Sequence, residues 1–323
     1  MSQALETPVL LVVFNRLENT LRVLEAIRAA RPRRLYISAD GPRADRPGEA
    51  ERCQAVREAV TRAVDWDCDL RTRFLEANVG CGLGPSTAIG WLFEHEEQGI
   101  ILEDDCLPQE GFFAFCEQML ERYAHDSRVM HVAATNHRLE GKGRPDGYFF
   151  SRLPGSWGWA TWRRAWAFFD YDMASYPDFV ARDDFRQAYP DPRWQAIMRR
   201  KFDKGYRKEI EGVWDYQWQY AVAANGGLAV APHANMVRNI GFDGQASHTS
   251  QMPKPYGKVT FEPARFPLVH PGRVFPSLDA DLELLRQWGA LGPEPDPCRE
   301  CLKRRLPEPL KRLARGLRKL TRR

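Results

Sequence analysis

The chain has 323 residues, of which 43% are hydrophobic and 28% charged, and a net charge of +4. Such a chain can bury a sizeable core as one large α/β domain or two smaller ones, which excludes a wholly disordered protein. A mean hydropathy of -0.52 with no long apolar run excludes a membrane span, and no signal-peptide pattern opens the sequence. Seven cysteines, an odd number, suit a reducing compartment better than a disulfide framework. The expectation is a soluble, cytoplasmic protein.

The elements follow in order. Pro8 precedes Val9-Leu10-Leu11-Val12-Val13-Phe14, a continuous apolar run of the buried-strand type. Leu17, Leu21, Leu24 and Ile27 then keep helical spacing up to Pro32. A second strand, Leu35 to Ala39, stops at the turn signal Asp40-Gly41-Pro42. A helix from Glu49 to about Val64 and a more polar strand near Leu70 to Leu75 come next, broken by Asn78-Val79-Gly80. A helix from about Ser86 to Glu94 leads to Gly99-Ile100-Ile101-Leu102, a short buried strand ending in Glu103-Asp104-Asp105. One more helix, Phe112 to Tyr123, and one more strand, Val129 to Ala133, complete the alternation. Strands separated by helices of this length predict a mostly parallel, doubly wound sheet.

After about Thr135 the chain turns aromatic, with seven of its ten tryptophans between Trp157 and Trp218. Helices and irregular loops are expected there, then a proline-rich surface strap from Pro253 to Pro276 and a short helix from Asp281 to Trp288. The predicted organisation is a ligand-binding half over residues 1–135, an aromatic half over 136–276 and an extension over 277–323. In that extension, Leu302 to Arg323 holds ten Lys and Arg against one Glu. The tail is therefore net +9, and residues 1–301 carry -5. Leu306, Leu310, Leu313, Leu317 and Leu320 form one stripe of a basic amphipathic helix, suited to an anionic membrane surface or to packing on the domain. A basic tail on an acidic body argues against a nucleic-acid partner.

In open parallel sheets, ligands bind beyond the carboxyl ends of the strands. Asn15-Arg16, Asp40 and Glu103-Asp104-Asp105 are all delivered there. Three adjacent carboxylates need a cation or hydrogen bonds to share a small site while ionised, and an oxygen-rich cluster suits Mg²⁺ or Mn²⁺. The alternative is a solvated loop capping the next helix.

The acid triplet, with Pro108 and Phe112-Phe113 after it, resembles the metal-binding motif of GT-A glycosyltransferases. The version is similar to the N-acetylglucosaminyltransferase I type and to bacterial haemolysin-like or family-2-like sugar transferases. The opening strand with Arg16 resembles that family's nucleotide-contacting strand, and Ser38-Ala39-Asp40-Gly41 its second, whose aspartate contacts the base. Trp214-Asp215-Tyr216-Gln217-Trp218 resembles the segment carrying the catalytic base, and Arg238 to Gly241, Gly244 and Ser247-His248 a segment closing over the diphosphate. Together these span roughly residues 8 to 250. In one departure, Tyr216 and Gln217 separate Asp215 from Trp218 where the family has a single acidic residue.

The resemblance implies a GT-A fold: a Rossmann-like, mostly parallel sheet flanked by helices, with an aromatic-rich acceptor half. It further implies an inverting transfer of sugar from a nucleotide-sugar, a UDP-sugar, to a glycan, lipid-linked or protein acceptor. Asp105 would hold Mn²⁺ or Mg²⁺, with Glu103 and Asp104 at donor and metal-water positions. Arg16, Asp40 and His248 would contact the donor, and Asp215 would be the base. Trp157, Trp159 and Trp162, set among Gly155 and Gly158, offer indole faces for an acceptor sugar or, alternatively, core packing. Gly80-Cys81-Gly82-Leu83-Gly84 lacks the spacing and position of a dinucleotide loop. Cys298-Arg299-Glu300-Cys301 is a lone pair without further ligands, and the other cysteines read as packing. The rivals are a metal-dependent phosphohydrolase and a non-catalytic carbohydrate-binding protein recruited to membranes by its tail.

Overall fold

The computed structural model describes residues 4–136, 147–210, 212–242 and 258–291. His248, Cys298, Cys301 and the basic leucine stripe of 302–323 lie outside them. Four strands, β1 (Val9–Val13), β2 (Arg34–Ala39), β3 (Asp69–Phe74) and β4 (Gln98–Glu103), pair in parallel in the order β3-β2-β1-β4. The helices α1 (Leu17–Ala30), α2 (Glu49–Ala63) and α3 (Gly80–His95) make the crossovers. The first helix buries Val23, Leu24 and Ile27, but Leu17 and Leu21 stay on its outer surface. Thr20 and Asn19 are buried instead; the Thr20 hydroxyl donates to Arg16 O (2.6 Å) and Asn19 Nδ2 to Ile240 O (3.5 Å).

The chain then forms β5 (Cys106–Pro108), α4 (Phe112–Arg122), β6 (Val129–Ala133), β7 (Tyr148–Ser151) and β8 (Trp159–Trp162). Short helices follow, α5 (Arg163–Trp166), α6 (Tyr176–Ala181) and α7 (Asp184–Ala188), then the longer α8 (Pro192–Tyr206) and α9 (Asp215–Ala224). The strands β9 (Leu228–Pro232) and β10 (Val237–Asn239) and the helix α10 (Leu278–Gln287) complete the described fold. Eight strands form one mixed sheet, β3-β2-β1-β4-β8-β6-β9-β7, while β5 and β10 pair as a separate antiparallel ribbon. β8 runs antiparallel between β4 and β6, and β7 antiparallel beside β9, so the other six strands point one way. The result is a Rossmann-like α/β fold whose sheet draws strands from both sides of residue 135.

Strands buried on both faces need continuous apolar sequence. Val9, Leu10 and Leu11 of β1 and Ile100 and Leu102 of β4 are fully buried. Apolar clusters sit on the two faces of this sheet, and a third gathers Met173, Tyr176, Trp194, Phe202 and Tyr220 around α8 and α9. The strap runs from 258 to 276 with one bridge, Pro276 to Phe150, before α10 docks.

That docking depends on Asp281, which is 1% exposed. It accepts from the Ser151 hydroxyl and from Arg152 N (3.1 Å). Burial pushes its carboxyl up to about 6 against the opposing pull of those bonds. A raised carboxyl favours the folded state while neutral, so its contribution is complete below pH 3.8 and lost as pH rises through 6. Asp281→Asn should therefore remove about 3 kcal/mol of pH dependence between pH 4 and 7. Urea unfolding of both proteins across that range measures it, and parallel stability curves would refute the assignment.

Candidate active site

A cleft of about 250 Å³ opens beyond the carboxyl ends of β1, β2 and β4. The strand order reverses between β1 and β4, the place where open α/β sheets leave a crevice. Val12 of β1 lies beside Glu103 of β4, so the next residues of each strand face one another across it. Arg16 leaves β1 and places Nη1 3.0 Å from Asp105 Oδ2 and 3.6 Å from Asp104 Oδ1. All three side chains are under one-fifth exposed, so little water screens the pair.

Among the described residues, one arginine faces several carboxylates. Desolvation, then the charges of Asp105, Asp104 and Asp215, push Glu103 above the usual carboxylate range, while Arg16 pulls it back. The neighbouring Cys106 thiol is driven up by burial and then by Asp105 and Glu103. The ribbon of β5 and β10 closes the triplet from below: Ile240 N donates to Asp105 O (2.8 Å) and Gly241 lies directly on Asp105. A Cβ at Gly241 would stand 2.3 Å from Asp105 Oδ2 and 3.0 Å from Arg16 Nη1, so only glycine leaves that ion pair undisturbed. No group of three His, Cys, Asp or Glu side chains able to enclose a metal occurs among the described residues. Mg²⁺-like ions, however, take one or two carboxylates and complete their shell with phosphate and water. The all-oxygen triplet fits that mode, and Asp105 with its neighbours could hold such an ion.

Asp40 reaches the cleft, yet its carboxylate is engaged by the protein. Oδ1 accepts from Gly41 N (2.8 Å) and Val79 N (2.9 Å), and Oδ2 from Asn78 Nδ2 and Gly80 N (both 3.0 Å). It thus caps α3 from another strand, which lets the helix begin at Gly80 rather than near Ser86. Across the cleft, Arg43 lies 5.6 Å over the Phe14 ring. Buried Glu49 grips Arg43 through Nε (2.9 Å) and Nη2 and also takes Asn15 Nδ2 (3.0 Å). The Arg43 pairing holds Glu49 down to about 2.

Asp215 begins α9 and is 37% exposed. It does not line the cleft, although its charge is felt at Glu103. Lys201 of α8 stands beside it, Nζ to Oδ2 3.7 Å, and donates to Gln219 Oε1 (2.6 Å). Desolvation lowers the Lys201 pKa and Asp215 opposes that shift.

The three tryptophans separate. Trp157 lines the cleft and meets Phe242 edge-on at 5.9 Å. Trp159 and Trp162 are core, 1% and 3% exposed, because β8 is inserted between β4 and β6 and both its faces are covered. Neither presents a face to an acceptor. Trp159 instead stacks on His131 (4.8 Å) and Trp214 (5.6 Å). His131 is fully buried and accepts at Nδ1 from Trp218 Nε1 (3.1 Å). Indole only donates, so the ring proton sits on Nε2, which donates to Gly155 O (2.9 Å). Burial pushes His131 down to about 3. The ring therefore joins β6 to α9, which carries Asp215, and to the loop that carries Trp157.

Sequence reasoning missed His131, Lys201, Asn78 and Arg43. His131 had a signal, as the one polar residue of Val129-Met130-His131-Val132-Ala133. Lys201 had none, because its partner is brought to it by helix packing.

No protein-family model matches the chain, and no curated protein matches it. Among solved structures it is similar to a mannosyltransferase from Pyrobaculum calidifontis in complex with GDP-Man and Mn²⁺. That match has 14% identity over 69% of this chain and 70% of that one, with a TM-score of 0.38. It is also similar to HddC from Yersinia pseudotuberculosis, at 10% identity over 49% and 77%, TM-score 0.29. A third is a UTP-bound UGPase from Acinetobacter baumannii, at 11% identity over 52% and 78%, TM-score 0.29. Likenesses this distant assign neither a family nor an activity to the chain.

His131→Phe keeps a ring on Trp159 but leaves Trp218 Nε1 and Gly155 O without partners. Unfolding stability should fall by about 2–4 kcal/mol, with a shifted tryptophan emission in the folded state. Unchanged stability would show that this ring does not tie the three segments together.

Proposed function

We propose that the chain is an inverting glycosyltransferase that moves a sugar from a nucleotide-sugar, a UDP-sugar, to a glycan, lipid-linked or protein acceptor. One observation supports this above others: in the cleft at the switch point of the sheet, Arg16 stands 3.0 Å from Asp105 and 3.6 Å from Asp104, a paired cation and acid cluster suited to a diphosphate and a divalent ion.

The donor lies in the cleft with its diphosphate toward Arg16 and Asp105. Arg16 neutralises charge that grows on the departing phosphate oxygens, in a site with little water to screen it. Asp105, with Glu103 and Asp104 beside it, would hold Mn²⁺ or Mg²⁺, which when bound supplies electrostatic stabilisation of the leaving group. Asp215 takes the acceptor hydroxyl proton during attack, since that hydroxyl is a weak nucleophile at neutral pH. Lys201 holds Asp215 in place and offsets its charge when no acceptor is bound. Trp157 offers its indole face to the acceptor sugar. His248 is assigned a donor role toward the diphosphate.

Calorimetry tests the donor half. UDP should bind with Mn²⁺ or Mg²⁺ present, and Asp105→Ala should abolish the ion's effect on that binding. Metal-dependent binding that survives in Asp105→Ala would sink the assignment. Kinetics test the other half: Asp215→Asn should bind donor as before while transfer falls about 10²- to 10⁴-fold. Wild-type turnover in that variant would remove Asp215 as the base.

A further inference from the structure

The cleft needs groups that read a base, and the aspartate the resemblance nominates for that task is fully occupied. An ionised carboxylate offers about four lone-pair sites. Asp40 has four protein donors on them, two per oxygen; three are backbone N–H groups, Gly41 N of its own turn and Val79 N and Gly80 N at the start of α3. Gly41 is held just as tightly, since a Cβ there would meet the Ala77 backbone at 2.3 Å. A base that bonded Asp40 would have to displace a helix cap.

Asn78 is placed differently. Its amide nitrogen donates to Asp40 Oδ2 (3.0 Å) and to Gly41 O (2.9 Å). Two acceptors on one side fix which end of the amide is nitrogen and use both hydrogens. The opposite end, Oδ1, accepts no hydrogen bond from the described residues, and Asn78 lines the cleft. Two residues beyond Gly41, Arg43 also lines the cleft. Its Nε and Nη2 are spent on Glu49, while Nη1 makes no hydrogen bond to the described residues and the guanidinium lies over Phe14. The cleft wall therefore carries one anchored acceptor, on Asn78, and one anchored donor, on Arg43 over the Phe14 ring.

We infer that Asn78 Oδ1 and Arg43 Nη1, rather than Asp40, select the nucleobase, and that they select uracil. The inference rests on the nucleotide-sugar reading above. Uracil offers an N3–H beside a carbonyl oxygen, which matches an acceptor beside a donor. Cytosine offers a bare N3 beside an amino group, so both contacts become like facing like. The two bases share size and shape, and the contrast is therefore chemical. Asp40 is a positioning residue: it holds Asn78 and α3 and acts on the base through Asn78 alone.

The test compares UDP and CDP by calorimetry on the full chain with Mn²⁺ present. The wild type should prefer UDP by about tenfold to a hundredfold. Asn78→Ala should cut that ratio several-fold by weakening UDP, with CDP little changed and the remainder held by Arg43. The same loss should appear without any mutation when 3-methyluridine diphosphate, which lacks the N3–H, replaces UDP; this keeps the test open should Asn78→Ala fold poorly. Equal wild-type binding of UDP and CDP, full affinity for the 3-methyl analogue, or an intact ratio in a folded Asn78→Ala would each overturn the inference while leaving the sugar-transfer reading standing. Absence of binding by either nucleotide would overturn both.

Discussion

Negative charge gathered at the end of β4 is the constraint around which the rest of this molecule is arranged. Glu103, Asp104 and Asp105 leave a buried parallel strand in succession, and Asp215 adds its field from α9. The described structure answers with a single guanidinium, Arg16, at 3.0 Å from Asp105. Carboxylates so crowded need a cation near them, or else one of them keeps its proton. The rise at Glu103 is the second solution, and a divalent ion with a diphosphate would supply the first. Several local features follow from protecting this balance. Gly241 carries no side chain because a Cβ would part Arg16 from Asp105. The ribbon of β5 and β10 pins the Asp105 backbone. Arg16 itself is tied down when Thr20 of the following helix takes its carbonyl.

The opposite wall of the cleft solves a different problem with the same economy of groups. A helix beginning in Gly-Cys-Gly-Leu-Gly-Pro has weak helical propensity and exposed N–H groups at its start. Asp40, delivered by β2, meets two of those groups and so lengthens α3 toward the cleft. Glu49 plays the parallel part for Arg43 and Asn15. Both acids are therefore used to fix neighbours, among them Arg43, Asn78 and Gly80, which line the cleft.

Much of this arrangement was legible in the chain. Continuous apolar strands, helical spacing and strand-end acids were enough to specify the β1 to β4 core and the cleft beyond it. What escaped had a common physical cause. Trp159 and Trp162 sit in a Gly-rich aromatic segment that reads equally as a sugar platform or as core, and only the insertion of β8 between β4 and β6 decides for core. Asp40 looks like a free strand-end carboxylate until Asn78 to Gly80, some forty residues on, fold back against it. Lys201 and Asp215 meet because two helices pack, which no local pattern encodes. Leu17 and Leu21 kept the helical period and were still left outside, while Asn19 turned inward to reach the Ile240 carbonyl.

The buried imidazole of His131 then links the two halves of the chain. A charged ring at this place would need a counter-ion that the surrounding indoles cannot provide, so burial keeps it neutral. Neutrality gives it one donor and one acceptor, and each is matched to a partner of the opposite kind, Gly155 O and Trp218 Nε1. A phenyl ring could fill the same space against Trp159 but would connect nothing. An amide could bond but would forgo the stack. Imidazole alone among the side chains combines a flat ring with two differently polarised edges at that size. Through it, α9 and the Trp157 loop are both referred to β6, two strands from the acid triplet. The start of α9 and the Trp157 loop are thus both registered on the sheet through one side chain.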